Sequence, residues 1–262
     1  MMLNFDKYQG AGNDFVIIDA REIENEENIF TENTVNQICN RYFGIGADGL
    51  ILLLESEKYD FRMKYFNSDG KEGSMCGNGG RCIVAFSKAH KIIGNETDFE
   101  GIDGIHTARI LDDGNVSLKM TDVDSIKKFK DGLLLETGSP HFVIPVDSVD
   151  DVDVFNTGEK IRHEQRFGKK GVNVNFVEYR KQDLKIRTFE RGVENETLAC
   201  GTGAVAAAIS AYFFGNTDKN SCFLRARGGN LKVDFTAEDK KSFRNIWLTG
   251  PAEFVFNGKI SI

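Results

Sequence analysis

The sequence predicts an α+β fold of two pseudo-symmetric domains, each a curved β-sheet or barrel wrapped around a central helix. Three observations predict it: a divergent internal repeat, a Cys-Gly-x-Gly motif in each copy, and strand patterns that flank a helical pattern after each motif. At 262 residues, 40% of them hydrophobic, the chain can bury its cores without metals or disulfides. We place the domains at 1–126 with 250–262 and at 127–249, and we expect the active site in the cleft between them.

The internal repeat consists of four blocks that recur in the same order at a nearly constant offset of about 125 positions. A glycine turn before an apolar run at 12–17 recurs at 138–144, and a turn that feeds a strand at 46–55 recurs at 171–178. An alternating run at 60–66 recurs at 183–189, and CGNG at 76–79 recurs as CGTG at 200–203. This regularity indicates a duplicated domain.

The elements after each cysteine motif follow one plan. Helical patterns cover 81–93 and 204–214, and paired strands then turn at 113–115 and at 228–230. The second helical pattern is rich in alanine, whose small side chain lets a surrounding sheet approach the helix backbone. We expect the segment from Gly250 onward to add a strand to the first domain.

Composition and charge exclude several classes of function. The net charge of −7 argues against nucleic-acid binding, which requires clustered positive charge. The N-terminus lacks the apolar run of a signal peptide, and no later run approaches the length of a membrane span. Five cysteines, an odd number, do not suggest a disulfide framework. We therefore expect a cytoplasmic protein with reactive thiols.

Cys76 and Cys200 are predicted to stand immediately before a helix. Unpaired backbone N–H groups and the helix dipole favour an anion there, so a thiolate becomes accessible near neutral pH. The glycines that follow leave backbone amides open to a carboxylate. One thiolate and one thiol could invert a stereocentre, since the first removes an α-proton on one face and the second delivers a proton on the other. Such a scheme requires no pyridoxal phosphate.

Other interpretations of the cysteines and glycines are less favoured. A lone cysteine is most often a small buried hydrophobe, and we interpret Cys39, Cys82 and Cys222 in this way. We expect no metal, because closely spaced ligand pairs are missing around Cys76 and Cys82. The glycine runs lack the lysine of a P-loop and do not follow a strand as a dinucleotide fingerprint would.

Several motifs together are specific enough to indicate a family. The chain resembles the diaminopimelate epimerase family over its whole length, in the stretches GNDF at 12–15, FNSDG at 66–70, MCGNG at 75–79, PH at 140–141, ERG at 190–192 and ACGTG at 199–203. The resemblance implies a cofactor-independent homodimer that interconverts LL- and meso-2,6-diaminopimelate, on the route to lysine and peptidoglycan precursors.

The resemblance also implies roles for individual residues. Cys76 and Cys200 would be the base and the acid, and the reacting carboxylate would be held by Gly77, Asn78, Gly201 and Thr202. His141 and Glu190 would assist near the reacting centre. Asn13, Asn67, Asn173, Glu190 and Arg191 would surround the substrate. Simpler structural roles remain open: turn residues for Asn13 and Asn67, a strand start for His141, and a solvated ion pair for Glu190 and Arg191.

Three residues depart from the family pattern, and two other functions compete with the epimerase. Ser139, Gly49 and Gln9 stand where many members have asparagine, glutamine and histidine, which concerns recognition at the distal end of the substrate. A proline racemase or hydroxyproline epimerase is the nearest rival enzyme, although its first motif usually reads Cys-Gly-His-Gly whereas Asn78 stands third here. A non-catalytic protein that binds a small acid is the other alternative, but binding alone would require neither cysteine.

Overall fold

The computed structural model describes residues 1–181 and 183–262. The strands in chain order are β1 (Met2–Gly10), β2 (Asn13–Asp19), β3 (Gly49–Leu54), β4 (Arg62–Asn67), β5 (Glu96–Gly101), β6 (Gly104–Ile110), β7 (Val116–Lys119), β8 (Ile126–Lys128), β9 (Leu133–Glu136), β10 (Pro140–Pro145), β11 (Asn173–Tyr179), β12 (Leu184–Glu190), β13 (Asn195–Thr197), β14 (Ser221–Ala226), β15 (Gly229–Ala237), β16 (Phe243–Gly250) and β17 (Glu253–Ser261). The α-helices are α1 (Glu26–Ile29), α2 (Glu32–Cys39), α3 (Gly77–Ala89), α4 (Val154–Arg162) and α5 (Gly201–Phe213), and a 3₁₀ turn covers Gln165–Phe167.

The chain divides into two compact units, residues 1–118 with 251–262 and residues 119–250. Both are dominated by strands and contain few helices, which confirms the predicted α+β class with two domains. The segment 119–126 belongs to the second unit, because the N–H groups of Met120 and Val123 donate to the carbonyls of Ile246 and Phe243 on β16. None of the helices among the described residues is long and apolar enough to span a membrane.

In the first unit, the sheet is built around α3. Strands β2 and β3 are parallel, β3 and β4 antiparallel, β4 and β5 parallel, and β5 and β6 antiparallel. Strand β17 pairs antiparallel with β1, which pairs in turn with β2. Helix α3 packs against β1, β2, β3, β6 and β17, and its first turn is buried. A sheet that surrounds the helix therefore fixes the position of the residue where the helix begins.

The second unit repeats this order of pairings. Strands β10 and β11 are parallel, β11 and β12 antiparallel, β12 and β14 parallel, and β14 and β15 antiparallel. Helix α5 is buried from Gly203 to Ala211 and packs against β9, β10, β11, β12, β14, β15 and β16. Its alanines allow this close packing, since a bare methyl group keeps the strands near the helix backbone.

Helix α3 occupies a different span from the predicted 81–93. It begins at Gly77 because burial of its first turn outweighs the low helix propensity of the glycines there. It ends at Ala89, and Lys91 has a left-handed backbone with φ of 59°. A non-glycine residue in that conformation does not continue a right-handed helix.

The packing of α4 on β12 depends on a glycine. A Cβ atom added to Gly158 would lie 2.4 Å from Cβ of Phe189, which is itself fully buried. We predict that Gly158→Ala lowers the free energy of unfolding by about 1–2 kcal/mol, since overpacking outweighs the gain in helix propensity. Urea unfolding measures this effect. Gly94→Ala is the control, because open space surrounds Gly94. Equal stability of the two variants would contradict the close contact inferred between Gly158 and Phe189.

Candidate active site

Cys76 is the residue immediately before α3. Its backbone is extended, with φ of −93° and ψ of 126°, and its carbonyl accepts the N–H of Gly80 at 2.7 Å. Its side chain makes no capping hydrogen bond, and its half-buried sulfur lies 3.6 Å from Oδ1 of Asn13. The backbone thus starts the helix, and the sulfur lies at the positive end of the helix dipole.

Two asparagines connect Cys76 to a buried arginine. Nδ2 of Asn78 donates to Oδ1 of Asn13 at 3.2 Å, and Oδ1 of Asn78 accepts from Arg81 at 2.9 Å. Arg81 is fully buried, and it also donates to the carbonyls of Gly77 and Pro251. Arg81 is not among the residues predicted from the sequence, although a charged residue inside a predicted core helix was a usable signal.

The orientation of Asn13 is set from its other side. Its Nδ2 donates to Asp48 at 2.7 Å, and Asp48 pairs with Arg41 at 2.6 Å. Arg41 and Lys7 both pair with Asp14. Burial alone would raise the pKa of Asp14, but hydrogen bonds from Arg41 and Lys7 hold it at about 2. An anchored strand end therefore presents Oδ1 of Asn13 to the sulfur.

Asn67 contacts a different set of residues. It is exposed at the end of β4, its Oδ1 accepts from the Tyr65 hydroxyl at 2.9 Å, and its backbone closes the turn to Gly70 and Lys71. This geometry fits the turn role left open by the sequence, and it leaves the Nδ2 group of Asn67 facing the region of Gly73.

Cys200 occupies the equivalent position before α5. Its carbonyl accepts the N–H of Ala204 at 2.9 Å, and its side chain makes no capping bond. The sulfur, on a residue only 9% exposed, lies 3.5 Å from Oγ1 of Thr202. Gly201 and Thr202 form the first turn, so the predicted group of Cys200, Gly201 and Thr202 is assembled in one place.

His141 extends this group into the core. The ring is fully buried on β10, its Nε2 lies 2.8 Å from Oγ1 of Thr202, and its Nδ1 lies 2.9 Å from Nδ2 of Asn175. Burial lowers the pKa of His141 to about 3, so the ring is neutral near pH 7. His141 is among the residues predicted from the sequence, whereas Asn175 is not, because its place on a buried strand was its only signal.

Asn173 joins the histidine to the segment after β12. Its Nδ2 donates to Oγ of Ser139 at 2.9 Å and to the carbonyl of Pro140 at 3.1 Å, and its Oδ1 accepts the backbone N–H of Arg191 at 2.9 Å. Nη2 of Arg191 donates to Ser139 at 3.4 Å. These side chains therefore lie together, while Glu190 is half-buried at the end of β12.

A pocket of about 410 Å³ opens beside this group in the second unit. The residues that line it include Glu136, Ser139, Pro140, Arg166, Lys170 and Arg191. Arg166 is already paired with Asp131, by two bonds of 2.7 Å. Arg191 and Lys170 give the pocket cationic groups that suit an anionic ligand.

The other three cysteines are buried, as the sequence predicts. Burial raises the pKa of Cys39 and Cys82 to about 12 and that of Cys222 to about 11. A thiol with so high a pKa is inert near neutral pH. Cys39, Cys82 and Cys222 are therefore not candidates for reactive sulfur chemistry.

Comparison with solved structures identifies the fold. A phenazine biosynthesis protein of the PhzF family from Bacillus anthracis is similar with a TM-score of 0.79 at 17% identity, over the whole of both chains. A hydroxyproline epimerase from Agrobacterium vitis is similar with a TM-score of 0.70 at 14% identity, over 100% of this chain and 93% of that one. At these identities the likeness concerns the fold alone.

Comparison of sequences identifies the family. The family model described as diaminopimelate epimerase matches residues 5–126 and 133–255. A diaminopimelate epimerase from Flavobacterium psychrophilum is 48% identical over 97% of this chain and 98% of its own length. One from Aquifex aeolicus is 40% identical over 99% and 98%. The chain therefore belongs to the diaminopimelate epimerase family.

Proposed function

We propose that this chain is a cofactor-independent epimerase that interconverts LL- and meso-2,6-diaminopimelate, with Cys76 and Cys200 as its two acid–base groups. The observation that carries the proposal is the repeated placement of a cysteine at the start of a buried helix, once in each unit of a family member. The reaction serves lysine and peptidoglycan precursor synthesis. The proposal places the enzyme in the cytoplasm, where thiols stay reduced.

The chemistry requires one sulfur as a thiolate and the other as a thiol. The thiolate removes the α-proton from one face of the α-carbon, and its sulfur becomes a thiol. The other thiol then delivers its proton to the opposite face and is left as a thiolate. The two sulfurs have thereby exchanged their protonation states, so the enzyme is ready for the reverse reaction.

Helix termini supply the stabilisation of negative charge in this proposal. The N–H groups of Gly77 and Asn78, and those of Gly201 and Thr202, belong to first turns, where no carbonyl within the helix can accept them. Such groups suit the substrate carboxylate, whose charge grows as the α-proton leaves. His141 stays neutral in this scheme and acts through its contact with Thr202.

Recognition of the distal amino-acid group is assigned to polar residues around Arg191. The Arg191 guanidinium suits a bidentate grip on the distal carboxylate, beside Ser139 and Asn173. We assign Asn13, Asn67 and Glu190 to binding the substrate ammonium and carboxylate groups. Ser139 is shorter than the asparagine that many family members have at this position, which leaves room for a water between it and the substrate.

Substitution of each cysteine tests the mechanism. We predict that Cys76→Ala and Cys200→Ala each lower the rate of conversion of LL-diaminopimelate by at least about 100-fold, because one proton-transfer group is lost. In deuterated water, each variant should still exchange the α-hydrogen of one stereoisomer without inverting it. Conversion is followed by chiral chromatography and exchange by mass spectrometry.

The control and the alternatives are built into the same assay. Cys222→Ala removes a buried thiol and should retain conversion. Epimerase activity retained in either site variant would contradict the two-cysteine mechanism. Conversion of L-proline or trans-4-hydroxy-L-proline in place of diaminopimelate would support the racemase alternative, and inactivity on all three with retained binding would support a binding protein.

A homodimer is the assembly that we propose, formed through β17. Phe254, Val255 and Phe256 follow one another on this strand, and each is more than two-fifths exposed. Within the described residues β17 is paired along its length with β1. Contiguous exposed apolar side chains are typical of a surface that is covered in an assembly.

The assembly is tested with a charge on this strand. We predict that Val255→Lys shifts sedimentation velocity from dimer to monomer, because an unpaired ammonium group would be buried at the interface. Val193→Lys, at a valine of similar exposure in the second unit, should leave the dimer intact. A wild-type protein that sediments as a monomer would refute the proposal.

A further inference from the structure

The contacts behind Cys200 form a chain with a direction. From its far end to the sulfur, the chain consists of Thr188, Asn175, His141, Thr202 and Cys200. Successive hydrogen-bonding atoms are 3.0, 2.9, 2.8 and 3.5 Å apart. Thr188, Asn175 and His141 are each no more than 3% exposed. In a chain of buried hydrogen bonds each donor must face an acceptor. One residue of fixed orientation therefore decides which atoms donate and which accept in the others.

Asn175 is that fixed member. Its Nδ2 lies 3.4 Å from the carbonyl of Phe142, which can only accept, and its Oδ1 lies 3.0 Å from the Thr188 hydroxyl. Its Oδ1 also sits beside the first turn of α5, since a Cβ at Gly203 would lie 2.5 Å from it. A helix N-terminus favours an oxygen over an amide NH₂. The reversed amide would set Oδ1 against the Phe142 carbonyl and NH₂ against the helix start.

The orientation of Asn175 determines the tautomer of His141. With NH₂ directed at Nδ1, the ring must present a lone pair at Nδ1 and carry its proton on Nε2. Nδ2 of Asn173 also lies 3.4 Å from Nε2, but its two hydrogens are directed at the nearer oxygens of Ser139 and Pro140, at 2.9 and 3.1 Å. Arg191 is the charged side chain whose field reaches the ring, and it also favours the neutral form. Nε2–H then donates to Oγ1 of Thr202 at 2.8 Å. The proton of the Thr202 hydroxyl is consequently left to point toward the Cys200 sulfur at 3.5 Å.

We propose that Asn175 is a positioning residue for the epimerase reaction: it fixes the Nε2–H tautomer of His141, so that the Thr202 hydroxyl donates a hydrogen bond to the Cys200 thiolate. Asn175 itself acts only through His141 and Thr202. The catalytic meaning of this inference rests on the proposed function. The tautomer of His141 and the hydrogen bond to the Cys200 sulfur, however, are properties of the protein without substrate.

The isosteric variant Asn175→Asp reverses the polarity of the chain. A carboxylate can only accept, so the neutral ring moves its proton to Nδ1, and Nε2 accepts from Thr202. The Cys200 thiolate then loses the hydrogen bond from the Thr202 hydroxyl. Because a hydrogen bond to a charged group is lost, we expect the midpoint pH for Cys200 alkylation to rise by about one to two units.

Two measurements on the intact protein without substrate test the proposal. Nitrogen-15 NMR of histidine-labelled protein reads the ring tautomer, with His141→Gln used to identify its signals. Iodoacetamide alkylation, quantified for the Cys200 peptide across pH, gives the midpoint. We expect the Nε2–H pattern in the wild type, the Nδ1–H pattern in Asn175→Asp, and a higher midpoint in that variant. Asn230→Asp, at an exposed asparagine in the same unit, is the matched control and should change neither.

The outcomes separate this inference from the proposed function. A wild-type ring with its proton on Nδ1 overturns the inference without any variant, as does an Asn175→Asp protein with an unchanged ring pattern and midpoint. A protein that shows the expected tautomer and shift but does not convert diaminopimelate retains the inference and refutes the function. If Asn175→Asp does not fold, Thr202→Val provides the second test, and an unchanged midpoint there overturns the inference.

Discussion

The structure depends on the burial of one helix start in each unit, with a cysteine at the position before it. The cysteine backbone accepts the first helical hydrogen bond, so the sulfur is not needed to cap the helix. A sheet surrounds each helix and fixes where that start lies. The N–H groups of the first turn, which no carbonyl within the helix can accept, are thereby kept beside a sulfur. The chemistry proposed for the chain follows from this placement.

The two cysteines have unlike surroundings despite the repeated fold. Cys76 faces an amide oxygen that Asp48 and Asn78 hold in place, and behind it lies the buried guanidinium of Arg81, whose pKa burial lowers. Cys200 faces a hydroxyl that is linked to a neutral histidine. At the position of the repeat that corresponds to Arg81 the second unit has Val205. Duplication therefore preserved the helix start and let the supporting groups diverge.

The sequence was sufficient to predict the α+β class, the two domains and the position of each cysteine before a helix, because duplication left four recurrent blocks and strong period-two patterns. The end of α3 was not predictable, since the turn at Lys91 lies within a pattern that still looked helical. Helices α2 and α4 had visible caps in Thr31 and Asp153, which could have been used.

Side-chain partnerships were less predictable than the elements. Asn175 contacts His141 and Thr188, which lie 34 and 13 positions away in the sequence. No local pattern distinguishes a buried asparagine that orients a ring from one that satisfies its own backbone. Asn13 and His141, by contrast, were found through motifs of the family. Pairings across strands, such as His141 with Asn173 in the β10–β11 register, become visible only when the sheet is assembled.

The distribution of deuterium at low conversion tests the two-cysteine account most directly. Reduced wild-type protein would be given LL-diaminopimelate in deuterated water, and both isomers would be recovered early and analysed by mass spectrometry. Two separate proton-transfer groups predict solvent deuterium at the inverted centre of the meso product, while the recovered LL substrate keeps its original hydrogen. Deuterium that enters the recovered LL substrate as fast as meso product forms would contradict the account, because a single group would then serve both faces.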